Sequence, residues 1–301
     1  MKDLTILDGG MGHELAKRGA GDRDGLWSAR ALLEHPELVA EVHNEYIDAG
    51  ARVIITNSYS TIPSYLEKGG MADRYLELTE LAALIARRVA DASPHPVKVA
   101  GSLPPLDVSY RPDMVPSDAA SAPVYEALTD VLLPHVDLFL CETMTSAREA
   151  ANAARAARKV AADAKPLWVS WSLDEAAGNG LRSGETVPAA YAAVAQFAPD
   201  TFLFNCTDPN AISAGLTELR DLTDKPIGAY PNRFHVPTGW TLDNDISTEP
   251  RDMTEAEFLD FARHWRSLGA SIVGGCCGVG PDFINGLQAL ETVALDVREP
   301  L

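Results

Sequence analysis

Apolar residues gather into eight short runs: Leu4–Asp8, Arg52–Asn57, Val97–Ser102, Leu138–Glu142, Leu167–Leu173, Thr201–Cys206, Ile227–Tyr230 and Ser271–Cys276. Each has the length of a strand, and helical signals follow each one. Thr254-x-x-Glu257 and Ser146-x-x-Glu149 read as capping boxes. Phe258, Phe261, Ala262, Trp265 and Leu268 recur at helical spacing, and Glu149 to Val160 is rich in alanine and arginine. Pro36 suits a first helical turn ahead of Leu38, Val39 and Val42. Strand–helix units repeated eight times over 301 residues predict a (β/α)8 TIM barrel, one domain over residues 1–301. An open doubly wound sheet is the alternative arrangement of the same units.

The loops are uneven. Returns from helix to strand are short, as at Ala49-Gly50-Ala51 and Leu268-Gly269-Ala270. Exits from strand to helix are long: Ser58 to Gly70, Leu103 to Asp118, Asp174 to Glu185 and Pro231 to Met253. Long loops in a compact domain usually serve function, and these leave the strand ends where barrels build their sites. Asp8, Asn57, Glu142, Cys206, Tyr230, Cys276 and Cys277 fall at that same end.

The chemistry concentrates in Ser271-Ile-Val-Gly-Gly-Cys-Cys-Gly278. Neighbours in a regular strand face opposite ways, so adjacent thiols converge only where a strand ends or bulges. With Cys206 at the end of another run, three thiols suit a zinc ion with an open fourth position. Inert core thiols and a strained vicinal disulfide are the alternatives. Cys141 precedes Glu142, so if Glu142 faces the barrel mouth Cys141 is a core thiol facing the helices. Asp8 and Glu142 would together hold an ammonium group, and backbone N–H groups of Gly9 to Gly12 a carboxylate. The glycine spacing there does not match a dinucleotide fingerprint. Of seven histidines only His235, in the loop after Tyr230-Pro-Asn232, is a site candidate. Trp171, Tyr59, Tyr110, Phe234 and Trp240 lie in or beside rim loops, where ring faces would attract a cation.

Charge narrows the partners. Twenty-five Lys and Arg against 43 Asp and Glu leave a net charge of −18, which argues against nucleic acid and anionic membranes. No apolar run approaches the ~20 residues of a membrane span. The N-terminal Met1-Lys-Asp-Leu-Thr-Ile-Leu-Asp8 does not read as a signal peptide, so reduced thiols in a cytoplasm are expected. Nothing in the pattern fixes an oligomeric state.

These blocks resemble the homocysteine S-methyltransferase family over nearly the whole chain. The matches are Leu7-Asp-Gly-Gly10, Thr56-Asn-Ser-Tyr59, Ala100-Gly-Ser102, Glu142-Thr143 with Glu149-Ala150, Asn205-Cys206, Tyr230-Pro-Asn232 and Gly274-Gly-Cys-Cys277. The resemblance implies a (β/α)8 barrel with Zn2+ on Cys206, Cys276 and Cys277. It implies substrate contacts at Asp8, Gly9, Gly10, Glu142 and Asn57. The implied reaction moves a methyl group from an onium donor (S-methylmethionine, S-adenosylmethionine or betaine) to homocysteine, giving methionine. Another thiol or selenol acceptor, or a non-catalytic zinc- and thiol-binding barrel, would need the same triad. The sequence departs from the family on the donor side. Gly-Pro-Tyr-Gly is usual after the third strand in users of sulfonium donors, and here the block is Leu103-Pro-Pro-Leu-Asp-Val-Ser-Tyr110-Arg-Pro. Threonine is usual where this chain has His13, and Arg-Thr is common where it has Gly278-Val279.

Overall fold

Alternation along the strands sorts their side chains into two apolar layers. In a computed structural model describing residues 3–20, 25–237, 239–240, 246 and 248–292, Leu138 and Leu140 point inward and Phe139 and Cys141 outward. The inner layer is small: Leu7, Val53, Ala100, Leu138, Leu140, Trp168, Leu203, Tyr230 and Ile272. The outer layer, between strands and helices, is the main core.

The eight expected runs form one parallel sheet: β1 (Thr5–Ile6), β2 (Val53–Ile55), β3 (Lys98–Leu103), β4 (Leu138–Met144), β5 (Leu167–Trp171), β6 (Thr201–Asn205), β7 (Ile227–Tyr230) and, after a two-stranded excursion, β10 (Ala270–Val273). Their order is β1-β10-β7-β6-β5-β4-β3-β2. A parallel bridge from Leu7 to Val53 joins the two ends, with Asp8 N–H donating to the Val53 carbonyl at 3.1 Å. The result is a (β/α)8 barrel, and the open-sheet alternative is excluded. The long loop after β7 carries the excursion, a hairpin of β8 (Phe234–His235) and β9 (Glu249–Pro250). Part of that loop, Thr238, residues 241–245 and Ser247, lies outside the described residues, as do Met1, Lys2 and residues 293–301.

The helical expectations hold with adjusted ends. Pro36 opens the helix Pro36–Asp48. The capping box at Thr254 and Glu257 is complete and starts the helix Glu255–Ser267. At Ser146 only half of the box forms. Ser146 accepts from the Glu149 N–H, but the Glu149 carboxylate turns back to Thr145, accepting from its N–H at 2.7 Å and its hydroxyl at 2.8 Å. Strand boundaries shift from the expected runs by up to three residues. The largest shift matters most: the last barrel strand ends at Val273, so Gly274 to Cys277 form the turn beyond it. No helix among the described residues is long and apolar enough to cross a membrane.

Candidate active site

At the carboxyl ends of the strands the barrel opens into a cavity of about 280 Å³. Strand ends supply its floor. Glu142 follows Leu138 and Leu140 on the inward face of β4, while Asp8 lies two residues past β1, where the chain leaves the strand after Leu7. Cys206 lies one residue past β6, and Cys276 and Cys277 close the turn after β10.

Close packing explains the glycines of that turn. A Cβ on Gly274 would meet Leu7 Cβ at 2.4 Å, and one on Gly275 would meet Val279 Cγ1 at 2.2 Å. Gly275 N–H donates to the Asp8 carbonyl at 2.9 Å and Cys276 N–H to the Pro231 carbonyl at 2.8 Å. The Gly9-Gly10 turn fits the same space, since a Cβ on Gly9 would lie 2.3 Å from the Val279 oxygen and one on Gly10 2.6 Å from the Cys276 oxygen. These glycines let three strand ends meet, which places the two thiols beside Cys206.

The three sulfurs lie within 4.8 Å of one another, Cys206 Sγ at 2.7 Å from Cys276 Sγ and 3.8 Å from Cys277 Sγ. Tetrahedral zinc with Zn–S bonds of ~2.3 Å sets ligand sulfurs about 3.8 Å apart. Hydrogen bonding with Cys276 and Cys277 pulls Cys206 well below the usual thiol range, and the same bonds with Cys206 push the other two up. All three could ionise together at this spacing only with a cation among them, and soft sulfur donors favour zinc-like metals. The residues present therefore fit a zinc ion.

Asp8 and Glu142 form a second anionic corner. Asp8 Oδ2 accepts from Ile55 N–H at 2.8 Å, while Oδ1 is buried with no hydrogen-bond partner. Glu142 Oε1 accepts from the Ser102 hydroxyl. Burial raises both pKa values, Glu142 to about 7, and the two carboxylates repel each other. Thr143 follows with φ of +60°, held by Asn205, whose Oδ1 accepts from Thr143 N–H at 3.0 Å and whose amide donates to Thr143 Oγ1 at 2.8 Å. Asn232 Oδ1 and His13 Nδ1 are further buried atoms without partners, both on lining residues. Buried polar groups rarely stay unpaired, so three such atoms around one cavity, with Asp8 Oδ1, mark where a polar ligand belongs.

The roof comes from loops. Trp27, Tyr59, Tyr65, Tyr110, Phe234 and Trp240 line it. His13 stacks on Phe234 at 4.7 Å, and burial lowers its pKa, so at neutral pH it is uncharged. No described lining residue is Lys or Arg, so the carboxyls and thiols of the floor face no Lys or Arg side chain among the lining residues.

Asn57 lines the cavity, buried, with its amide donating to the Ser28 carbonyl at 3.2 Å. Gly9 and Gly10 line it too, but Gly10 N–H is already given to the Val279 carbonyl at 3.0 Å. Cys141 is fully buried in the outer core, as its parity requires, and burial raises its pKa. Two expectations fail. Trp171 shares parity with Leu167 and Val169, so it stacks on Phe202 in the outer core instead of facing the rim. His235 is exposed outside the cavity, 3.1 Å from Arg251 and 3.7 Å from Glu175. Glu175, Asp208 and His235 have metal-like spacing, but Arg251 pairs with both carboxylates and Arg182 with Glu175. Arginine already neutralises that cluster. His13, a departure from the family pattern but not a sequence candidate for the site, lines the cavity from the helix Met11–Lys17. Trp27, in a turn, and Tyr65, in the short helix Pro63–Glu67, line it too, and no motif or periodic signal in the sequence marked either.

Comparison with known proteins gives a consistent result. A homocysteine S-methyltransferase family model matches residues 5–290. The homocysteine S-methyltransferase of Escherichia coli K12 is 32% identical, covering 96% of this chain and 95% of its own. A selenocysteine methyltransferase from Astragalus bisulcatus is 28% identical, covering 95% of this chain and 92% of its own. The metallated form of the E. coli homocysteine methyltransferase MmuM superposes with a TM-score of 0.80 at 29% identity, over 96% of both chains.

Proposed function

The chain belongs to the homocysteine S-methyltransferase family, and on that premise we propose that it is a zinc-dependent enzyme methylating homocysteine to methionine from an onium donor: S-methylmethionine, S-adenosylmethionine or betaine. The observation that carries this reading is three convergent thiols beside an Asp8–Glu142 corner, under an aromatic roof. Cys206, Cys276 and Cys277 would hold the zinc. A free thiol with pKa near ~8.5 is mostly protonated at neutral pH; a metal on the triad would keep homocysteine sulfur as the nucleophilic thiolate.

The chain's own residues do the rest. Asp8 and Glu142 pair with the homocysteine ammonium, which supplies the missing partner of Asp8 Oδ1 and draws the proton off Glu142. Asn57 and the backbone at Gly9 and the start of the helix Met11–Lys17 face its carboxylate side. Tyr59, Tyr110, Phe234 and Trp240 turn ring faces and edges to the onium group and keep water away. The thiolate attacks the methyl carbon, a new C–S bond forms, and the old bond's electron pair leaves with the donor as a neutral product. Cationic charge makes the methyl transferable, and a cavity with carboxyls and thiols but no Lys or Arg among its described lining residues suits that cation. Alignment of thiolate and methyl supplies much of the rate. The reduced triad suits a cytoplasmic setting, and the whole chain serves as one barrel.

Zinc-loaded protein incubated with homocysteine and each donor in turn should yield methionine, quantified by mass spectrometry, from at least one onium compound. Metal-replete protein that yields none from any donor would sink the reading. A second acceptor earns a place in the same assay because a selenocysteine methyltransferase is among the relatives. Selenocysteine methylated more efficiently than homocysteine would move the assignment to that acceptor.

A further inference from the structure

Two non-glycine residues with left-handed backbone meet through one hydrogen bond at the metal corner. Cys206 has φ of +51° and Tyr110 φ of +66°, and the Tyr110 hydroxyl donates to Cys206 Sγ at 2.9 Å. Such conformations are costly and persist only where surrounding contacts enforce them. Here the contacts can be named. The Arg182 guanidinium lies over the Tyr110 ring, 4.6 Å from its centroid, and the Trp240 ring meets it edge-on at 5.7 Å. Arg182 is itself fixed: its side chain is 8% exposed, Nε donates to Ser172 Oγ at 2.9 Å and Nη2 to Glu175 Oε1 at 2.8 Å. Ser172 Oγ in turn stands 3.4 Å from the Cys206 carbonyl. Glu175 also pairs with Arg251 at 3.2 Å. One buried cluster therefore grips Cys206 by both its sulfur and its backbone.

We propose that Tyr110 is a positioning residue for the Cys206 sulfur, donating a hydrogen bond that draws charge from this thiolate alone, with Arg182 as the buttress that holds the phenol in place. The inference rests on the metal reading of the triad. Its chemical consequence is an asymmetric site. Cys276 and Cys277 receive no hydrogen bond from an aromatic hydroxyl among the described residues, so Cys206 becomes the weakest electron donor of the three. A weaker Cys206 leaves more affinity for the incoming substrate sulfur. Tyr110 belongs to the Leu103–Pro112 stretch that departs from the family pattern, and its hydroxyl ties that stretch to the metal corner.

Cobalt(II) exchanged into wild type and Tyr110→Phe gives a readout independent of turnover. Losing a hydrogen bond raises the energy of the sulfur lone pairs. The sulfur-to-cobalt charge-transfer band should then move to longer wavelength while metal content stays at one per chain. Homocysteine KM should rise about tenfold with kcat changed less than about twofold, the scale of one hydrogen bond to a charged acceptor. Arg182→Met should shift the band in the same direction by less, and Arg182→Lys should recover part of it. A band at the wild-type wavelength in Tyr110→Phe would overturn the proposal. Wild-type protein that takes up no cobalt would bring down the metal reading and this inference with it. A shifted band without methyl transfer to any acceptor would instead fault the proposed reaction and leave Tyr110's role standing.

Discussion

Floor and roof of the cavity are built by different rules. Strand ends make the floor, where alternation along β4 aims Glu142 inward and Cys141 outward, and tight glycine contacts bring Cys276 and Cys277 to Cys206. Loops make the roof, where Trp27, Tyr110 and Trp240 are placed by contacts between residues far apart in sequence. A barrel can thus hold its thiol chemistry fixed while the roof, which the proposed function assigns to the methyl donor, varies. The departures from the family pattern fall at His13, the Leu103–Pro112 stretch and Gly278-Val279, above or beside the floor.

The largest effect should come from the floor itself. Cys206→Ser should lose both metal and activity, read by metal analysis and by methionine formation. Cys141→Ser, on the outward face of β4 two strands from β6, should keep both and cost only about 1–3 kcal/mol of stability from a hydroxyl buried among apolar side chains. An active, metal-free Cys206→Ser would erase the distinction between the two faces.

Next come the carboxylates. Asp8→Asn and Glu142→Gln should each raise homocysteine KM by roughly 10- to 100-fold, the scale of a buried charge-assisted hydrogen bond, with a smaller change in donor KM. Burial holds the Glu142 carboxyl at about 7 against an ordinary 4.5. Across that window the native state of the free protein keeps a proton that the unfolded chain has released. Stability from this group is therefore full below about 4.5 and is lost as pH rises through about 7, by at most about 3 kcal/mol. Glu142→Gln should flatten that part of the melting-temperature profile of the metal-free protein. Homocysteine binding runs the other way, since it needs the carboxylate, so KM should rise as pH falls below 7 in wild type and less so in the variant. A steep pH profile that survives the substitution would assign the titration to another group.

Substitutions of roof residues that do not touch the thiol triad should be smaller and confined to the donor. Trp240→Ala should raise donor KM by about three- to tenfold, in keeping with loss of one cation–π face, and leave homocysteine KM nearly unchanged. A larger effect on homocysteine than on the donor would reverse the assignment of roof and floor.

The same division decides what the sequence revealed. Short apolar runs located all eight barrel strands, and parity correctly separated Cys141 from Glu142. Adjacent cysteines after two glycines pointed to a strand end because no regular strand can converge them. Parity also had the information to reject Trp171, two residues after Val169 on the outward face of β5, but its nearness to a loop outweighed it. Roof geometry was out of reach. The hydrogen bond from Tyr110 to Cys206 spans 96 residues, and the stacking of His13 on Phe234 joins opposite ends of the chain. Neither leaves a local pattern. The carboxylate of Glu149 shows the limit within a motif, since the sequence supports a capping box but packing sends the side chain to Thr145.

The central claim is that three protein thiolates leave one metal position for the substrate sulfur. X-ray absorption at the zinc edge of the loaded protein counts sulfur neighbours directly. The account predicts three sulfurs at ~2.3 Å before homocysteine is added and four after it. A sulfur count unchanged by saturating homocysteine would contradict it.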